Sequence, residues 1–270
     1  MVTHYRDYES FKRVAVPFLE QRSEVHQLPL GILERGDTPL LMAIAEEDDR
    51  KIIILQTIEE QAILAGEAFS DPSMRKLARI FDCKGYVGEH ALVKPLLAPH
   101  TKYRVKMDQG MYALHHVTRP PQLEYAFRIV DEQAVDQAVS FGWDFICETG
   151  ALAVTERNRL QNEQTIRRHS SKQTLFGLFD GDRLISMTSA SRPTASGVTV
   201  SYVYTPPELR GRGLASDLVA RVCTYLLEQA YPMITLYTDW SNPTSNKIYQ
   251  AIGFQLVGRS LQITKTDKYR

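Results

Sequence analysis

Residues 197–216 read GVTVSYVYTPPELRGRGLAS, and this stretch decides the fold of the chain. Apolar and aromatic residues stand at every second position of its first half, which is the pattern of a strand. Two successive prolines then end the strand, because neither has an N–H to give to a sheet ladder. Apolar residues recur at every fourth position from Leu214 onward, which predicts a helix that begins near Gly213.

The turn between this strand and helix has the features of an anion site. Gly211 and Gly213 lack Cβ atoms, so a ligand can approach the main chain closely. The unpaired N–H groups and the positive end of the helix favour a phosphate or pyrophosphate. A Walker loop does not fit, because Leu214 and Ala215 follow Gly213. A dinucleotide fingerprint needs glycine or alanine where Ser216 stands, and a parallel sheet, whereas the hairpin before this strand favours an antiparallel one.

Composition narrows the class of protein. The chain has 270 residues, of which 43% are apolar and 24% charged, so we expect two domains, each with a buried core. Basic and acidic residues are equal at 32 each, which gives no bulk attraction to nucleic acid or to a membrane. Three scattered cysteines and an N-terminus without an apolar segment predict a cytoplasmic protein. No His or Cys spacing supports a metal site, and homo-oligomer formation stays open.

The first half of the chain reads as α plus β. The periodicity predicts two helices over 7–35, a hairpin over 39–58, a helix over 71–81 capped by Ser70 or Asp71 and closed by residues 85–88, and extended runs at 103–107 and 111–117. Arg119-Pro-Pro-Gln122 is the clearest linker, because successive prolines cannot sit in a central strand or helix. We therefore predict domains at 1–120 and 121–270.

The second half, after Tyr125, reads β-α-α-β-β-β-α-β-α-β, with an obvious hairpin over 175–189. Its last helix begins at Asn242, which can cap it, with Pro243 at the first helical position. Asn242, Asn246 and Tyr249 fall on one face of that helix.

Two of these motifs together resemble the GNAT acyltransferase superfamily. The sequence RGRGLA at 210–215 is similar to the family's Arg/Gln-x-x-Gly-x-Gly/Ala motif, and NPTSNKIYQAIGF at 242–254 resembles its closing helix. The resemblance covers about 123–261 and implies an α+β fold with a mostly antiparallel sheet flanked by helices. It also implies transfer of an acetyl group from acetyl-CoA, by direct attack, to an amine of a small molecule or peptide.

The resemblance further implies which residues bind acetyl-CoA. Main-chain groups of the strand would hold the pantetheine, N–H groups of the turn would hold the pyrophosphate, and asparagines of the last helix would add contacts. These residues are Val203, Tyr204, Thr205, Arg210, Gly211, Arg212, Gly213, Leu214, Ala215, Ser216, Asn242 and Asn246. Tyr249 would be the general acid, and the other interpretation is that it only packs in the core. No general base is identified, and no metal is expected.

The resemblance also reaches residues outside these two motifs. Trp143, Phe145 and Glu148 resemble a pattern of a two-domain GNAT subgroup in which this helix would border the acceptor pocket. This resemblance makes Trp143 and Glu148 candidate acceptor contacts, and the other interpretation is that the three residues pack in the core. That subgroup begins with a divergent GNAT-like half, which residues 1–117 resemble in the order of their elements. Because this half has no equivalent of RGRGLA, we do not expect it to bind CoA in the usual way. The competing function is a regulatory module that binds CoA without turnover.

Overall fold

The computed structural model describes residues 1–36, 38–97 and 103–266. Within these ranges, the strands are β1 (Val2–His4), β2 (Leu41–Glu47), β3 (Arg50–Ile58), β4 (Gln61–Gly66), β5 (Gly85–Glu89), β6 (Tyr103–Leu114), β7 (Ala126–Ile129), β8 (Leu175–Asp180), β9 (Arg183–Thr194), β10 (Gly197–Tyr204), β11 (Ile234–Asp239) and β12 (Gln255–Lys265). The α-helices are α1 (Tyr8–Glu20), α2 (Ser23–Arg35), α3 (Asp71–Phe81), α4 (His90–Val93), α5 (Val135–Thr149), α6 (Glu156–Ser171), α7 (Leu214–Glu228) and α8 (Pro243–Ile252). Short 3-10 turns cover Lys94–Leu97 and Pro207–Leu209.

The chain packs into two compact units, and each unit is built from more than one stretch of the sequence. The first unit takes in the described residues of Met1–Tyr112, Tyr237–Asn246 and Leu256–Arg270, and the second holds Ala113–Leu236 and Lys247–Gln255. The domain boundary at residue 120 stays a prediction.

The first unit is organised by a meander of β2, β3 and β4, whose register runs without a break from Leu41 to Glu47 against β3. Alternate residues of β3 serve two cores, because successive side chains of a strand point to opposite faces. Ile52 and Ile54 belong to one buried cluster, and Ile53 and Leu55 to the other. After the meander, α3 crosses over and β5 pairs parallel to β4. A strand that pairs parallel to its predecessor needs a crossover connection of this kind, because a short hairpin would reverse its direction.

The second unit repeats this topology. The strands β8, β9 and β10 form an antiparallel meander, α7 crosses over, and β11 pairs parallel to β10. Alternate side chains of β8 face different helices: Leu175 lies in a core cluster with Val135 of α5 and Ile166 of α6, whereas the ring of Phe176 lies 5.4 Å from that of Tyr225 on α7. The sheet of this unit therefore has helices on both faces, and the predicted α+β class with a mostly antiparallel sheet is confirmed.

Several local predictions were wrong. Residues 85–88 form β5 rather than the close of the preceding helix, and the two extended runs at 103–117 are one strand, β6. The first helix after Tyr125, whose start the element order left open, begins at Val135, because the Asp131 carboxylate accepts hydrogen bonds from the N–H groups of Gln133 and Ala134 in a turn. The sequence patterns also missed β1 and β4.

Three other features were predicted correctly. Ser70 caps α3 through a 3.4 Å hydrogen bond from the N–H of Ser73, Gly213 is the N-cap of α7, and the element order after Tyr125 is the predicted one. Among the described residues, no helix combines the length and the apolar character needed to cross a membrane.

Candidate active site

The strand β10 carries a bulge at its carboxyl end. Its register against β9 gains one residue between Ser201, which faces Ser189, and Tyr204, which faces Met187. Tyr202, inside the bulge, has a φ of 54°, which bulky residues rarely adopt. A bulge places two residues opposite one and turns main-chain groups away from the ladder. The sequence predicted that main-chain groups of Val203 to Thr205 contact a ligand, and the bulge overlaps the start of this range.

The parallel ladder between β10 and β11 is short. Val198 pairs with Ile234, and Thr199 pairs with Thr235. The hydroxyl groups of the two threonines lie 3.0 Å apart. Among the described residues, the register contains no later pair between these strands. The bulged end of β10 therefore leaves the ladder before the chain reaches the proline turn. Two carbonyls there are already engaged: Tyr204 O accepts from the Ser186 hydroxyl, and Thr205 O accepts from Arg210.

The glycine turn has the backbone that the sequence predicts. Gly211 and Gly213 have φ values of 78° and 77°, in the left-handed region that favours glycine. A Cβ built on either one would meet no heavy atom within 4 Å, so the space above the turn is open. No side chain caps the N-terminus of α7, which leaves the first N–H groups of Leu214, Ala215 and Ser216 available to a ligand. The turn fits a pyrophosphate.

Arg210 does not extend freely from this turn. Its Nη2 donates to both carboxylate oxygens of Glu148, at 2.7 and 2.9 Å, and its Nε donates to Thr205 O at 2.9 Å. The guanidinium also lies over the ring of Tyr204, 5.6 Å from the centroid. Tyr204 in turn donates its hydroxyl to Glu148 at 3.1 Å, and burial together with this carboxylate raises the pKa of Tyr204 to about 12. Two predicted site residues, Glu148 and Arg210, are thus brought together.

The helix α5 packs on the bulge. Phe145 contacts the ring of Tyr202 at 5.3 Å, and Phe141 contacts that of Tyr204 at 5.5 Å. Trp143 is partly buried on the same helix. Burial, with the nearby charges of Glu148 and Glu208, raises the pKa of Asp144. This carboxylate was not among the predicted residues, and its raised pKa favours a role as a base.

The asparagines of α8 lie in the first packing unit. The side chain of Asn242 accepts a hydrogen bond from the N–H of Ser245 at 3.1 Å, which is the cap that the sequence predicts. Asn246 donates to the carbonyls of Asp239 and Trp240, and accepts from Tyr112 at 3.3 Å. Both side chains therefore hold the start of α8 in place, and their contact with a ligand stays a prediction.

Tyr249 lies in the second unit, near the end of α8. Its side chain is 8% exposed and its ring meets that of Phe254 edge-on at 5.9 Å. Burial, with a smaller contribution from Cys223, raises its pKa. Its hydroxyl has no hydrogen-bond partner among the described residues. The group is therefore neutral at pH 7 and keeps a proton that it could donate, while its role as acid stays a prediction.

A groove of about 480 Å³ lies beside the glycine turn, wholly within the second unit. It is lined by Arg119, Pro120, Gln122, Leu123, Arg212, Gly213, Ser216, Asp217, Ala220, Lys247, Ile248 and Ala251. The predicted linker forms one wall, and α7 and α8 form the others. The residues that the structure describes contain no group of three or more His, Cys, Asp or Glu side chains that could hold a metal ion.

The wall made by the linker is fixed by a buried carboxylate. Asp217, 5% exposed, accepts hydrogen bonds from the N–H groups of Gln122 and Leu123 at 2.5 and 2.9 Å. Arg221 donates to the same carboxylate at 2.7 Å and to the carbonyl of Leu123. The sequence reasoning missed this network, although an Asp and an Arg four residues apart inside an otherwise apolar helix were a signal for it.

Comparison with known proteins agrees with the fold of the chain. Residues 175–263, from β8 to β12, match a family model described as FR47-like protein, which is GNAT-related. No curated protein matches the chain. A solved GNAT-family acetyltransferase from Colwellia psychrerythraea is 14% identical, with a TM-score of 0.64, over 98% of this chain and 100% of that one.

This chain has the GNAT fold. A GCN5-related N-acetyltransferase from Sphaerobacter thermophilus is 16% identical, with a TM-score of 0.63, over 98% of this chain and 95% of that one. A tandem GNAT protein from the clavulanic acid biosynthesis pathway is 11% identical, with a TM-score of 0.59, over 98% and 97%. The repeated strand-meander and crossover in the two units agrees with a tandem GNAT fold.

Proposed function

We propose that the protein is an acetyl-CoA-dependent N-acetyltransferase whose acceptor is an amine of a small molecule or a peptide. One observation carries the proposal: among the described residues β10 makes no pair with β11 after Thr199, bulges against β9 between Ser201 and Tyr204, and runs through Gly211 and Gly213 into the uncapped N-terminus of α7. We infer that main-chain N–H groups are offered to a ligand at two places along this continuous stretch, at Val203 to Thr205 and at the start of α7. The GNAT fold supports acyl transfer in general, and these features support the choice of cosubstrate.

The glycine turn is the proposed pyrophosphate site. Its two left-handed glycines leave the approach open, and the N–H groups and positive end of α7 attract an anion. The corresponding helix of the first unit, α3, is different, because Ser70 caps its N-terminus and Pro72 occupies its first turn. This contrast supports a single CoA site, in the second unit.

Acetyl-CoA supplies an acetyl thioester to such a site. We assign to the N–H groups at Val203 to Thr205 the task of donating a hydrogen bond to the developing oxyanion. Tyr249 is the proposed proton donor to sulfur, through its Oη, and its raised pKa keeps that proton in place at neutral pH. In the balanced reaction, the amine nitrogen forms the new C–N bond and loses a proton, the C–S bond breaks, and sulfur gains a proton.

The side of the bulge toward α5 is the proposed acceptor side. Asp144, Trp143 and Glu148 lie on this helix, and the Glu148 carboxylate is paired with Arg210. Burial and the neighbouring charges of Glu148 and Glu208 raise the pKa of Asp144, so Asp144 is our candidate to receive the amine proton.

The experiment measures binding and turnover separately. Calorimetry with CoA tests the site, and thiol release from acetyl-CoA with a panel of small amines and peptides with free amines tests the chemistry. We expect micromolar binding and amine-dependent thiol release. Binding without release for any amine would contradict the enzyme and favour the regulatory module, and no binding of CoA would contradict the proposal as a whole.

A further inference from the structure

The strand β9 has hydroxyl groups at buried positions, where a sheet covered by helices on both faces normally holds apolar side chains. Ser186, Thr188 and Ser189 are each 0% exposed. A buried hydroxyl lowers stability unless it forms a hydrogen bond. Each of these three side chains donates to a carbonyl of β10 beside the bulge. The hydroxyls of β9 are therefore fitted to the irregular part of its neighbour.

Two of these hydroxyls hold the two ends of the bulge. The Thr188 hydroxyl donates to the carbonyl of Ser201 at 2.9 Å, and the Ser186 hydroxyl donates to the carbonyl of Tyr204 at 3.1 Å. Because Ser186 has only one hydroxyl proton, it accepts from the hydroxyl of Thr205, at 2.9 Å. In a regular strand, carbonyls three residues apart point in opposite directions. Here both carbonyls point toward β9, because the bulge adds one residue between them.

The carbonyl of Tyr204 sets the direction of the next N–H group. A peptide unit is planar, so the C=O of Tyr204 and the N–H of Thr205 point in opposite directions. The strand β10 lies between β9 and β11, so this N–H points to the side of β11. Among the described residues, the ladder with β11 has already ended at Thr199. The N–H of Thr205, one of the groups assigned above to the developing oxyanion, thus faces the side on which the ladder is open.

We propose that Ser186 and Thr188 are positioning residues, whose hydroxyls hold the bulge so that the N–H of Thr205 faces the thioester carbonyl of acetyl-CoA. This inference rests on the proposed function. Both residues act through carbonyls of β10 and not on the reacting atoms. Arg210 adds a third support, because its Nε donates to the carbonyl of Thr205 at 2.9 Å.

Removing one hydroxyl at a time tests the proposal by kinetics. Ser186→Ala removes the donor to Tyr204, and Thr188→Val removes the donor to Ser201 at nearly constant volume. We expect kcat for thiol release, with the most active amine of the panel, to fall about tenfold in Ser186→Ala and about threefold in Thr188→Val, because a displaced donor stabilises the oxyanion less. The affinity for CoA, measured by calorimetry, should stay within about twofold, since CoA has no acetyl carbonyl and the glycine turn is unchanged.

Infrared spectroscopy measures the hydrogen bond to the carbonyl without turnover. Acetyl-CoA labelled with ¹³C at the acetyl carbonyl is bound to each protein with no amine present. A hydrogen bond weakens the C=O bond and lowers the frequency of its stretching band. We therefore expect the band of bound acetyl-CoA to lie at a higher frequency in Ser186→Ala than in the wild type.

Two further variants separate positioning from the simple loss of a hydroxyl. Ser191→Ala is the matched control, because Ser191 donates from the same strand to the carbonyl of Thr199 at 3.3 Å, where the ladder is regular. Thr199 pairs with β9 on one side and with β11 on the other, so kcat and the band should stay as in the wild type. Thr188→Ser keeps the hydroxyl and should restore most of the kcat that Thr188→Val loses.

The outcomes distinguish this inference from the proposed function. A wild-type kcat and band position in Ser186→Ala would overturn the inference and leave the proposed function intact. An equal loss of kcat in Ser191→Ala, or a fall in CoA affinity as large as the fall in kcat, would also overturn it, since the hydroxyls would then only hold the strands together. If Ser186→Ala does not fold, Thr188→Val and Thr188→Ser carry the comparison. If the wild type neither binds CoA nor releases thiol, the proposed function fails and this inference fails with it.

Discussion

Glu148 and Arg210, which are 62 residues apart in sequence, form an ion pair. Nη2 of the arginine donates to both carboxylate oxygens, at 2.7 and 2.9 Å. The same guanidinium donates to Thr205 O, at the start of the proline turn. Arg210 therefore connects the end of β10 to the glycine turn, and Glu148 of α5 holds the arginine side chain in place. In this geometry the side chain braces the phosphate turn, and the ligand contacts come from the main chain.

Glu148→Gln should loosen this brace. We expect the KM for acetyl-CoA to rise about fivefold with a smaller change in kcat, because the glycine turn loses its fixed position. The free energy of unfolding should change by less than about 1 kcal/mol, since both side chains are more than a third exposed and such pairs stabilise little. Steady-state kinetics with each substrate varied in turn measures the effect. Glu163→Gln, which breaks the exposed pair with Arg167, is the matched control. A rise confined to the KM for the amine would instead make Glu148 an acceptor contact.

Gly213→Ala and Gly181→Ala form a matched pair. Both glycines have left-handed φ, 77° and 60°, and neither has a heavy atom within 4 Å of an added Cβ. Each substitution should therefore cost about 1 kcal/mol of stability through backbone strain alone. Only Gly213 lies where the pyrophosphate is proposed to approach, so only Gly213→Ala should weaken CoA binding, by at least about tenfold. Urea unfolding and calorimetry measure the two effects. Equal affinities in the two variants would contradict the pyrophosphate site.

Tyr249→Phe removes the proposed proton donor. Its hydroxyl has no partner in the described structure, so the fold should be unaffected, while kcat should fall by about 10- to 100-fold. Tyr225→Phe, another α-helical tyrosine of the second unit that packs on Phe176, is the control for loss of a hydroxyl. An unchanged kcat would reduce Tyr249 to a packing residue.

Because burial raises its pKa, Tyr249 should also make the wild type less stable than Tyr249→Phe as the pH rises above about 10, where only the unfolded tyrosine ionises.

The parts of this site that were predicted from sequence are those whose geometry is local. The glycine turn and the cap at Asn242 follow from residues within a few positions of each other, because φ preferences and capping are properties of short segments. The bulge at Tyr202 was not predictable in this way, because a tyrosine gives no signal for positive φ and the extra residue is defined only against β9. The strand β4 was missed because the turn before it, Glu59-Glu60, lacks the Gly, Pro or Asn that marks a hairpin.

The docked linker shows the same limit over a longer distance. Its prolines correctly indicated that residues 119–122 are neither strand nor helix. Nothing near them in sequence indicates a partner 95 residues away on α7, where the Asp217 carboxylate accepts a hydrogen bond from the N–H of Gln122 in the wall of the groove.

Asp217→Ala should destabilise the second unit. The substitution leaves two partly buried main-chain N–H groups without an acceptor and removes the carboxylate partner of Arg221, which should lower the free energy of unfolding by about 2 kcal/mol. Asp217→Asn keeps one acceptor and should lose less. Urea unfolding measures both. Asp136→Asn, at an exposed carboxylate paired with Arg167, is the control and should change stability by less than about 1 kcal/mol. A loss at Asp217 no larger than this control would mean that the linker is not anchored.

His169 should make stability depend on pH. Burial, with the nearby charges of Arg168, Lys172 and Arg192, lowers its pKa to about 4. Since the unfolded histidine titrates near pH 6.5, the unfolded state binds more protons between these two values, and stability falls as the pH drops through this window. The loss from pH 7 to pH 4.5 that is due to this residue should be about 2 kcal/mol. Urea unfolding of the wild type and of His169→Gln at several pH values measures it: the difference in stability between the two proteins should shift in favour of His169→Gln as the pH falls. Parallel pH profiles would show that His169 is solvated, because only a histidine kept neutral by burial and nearby cations gives this divergence.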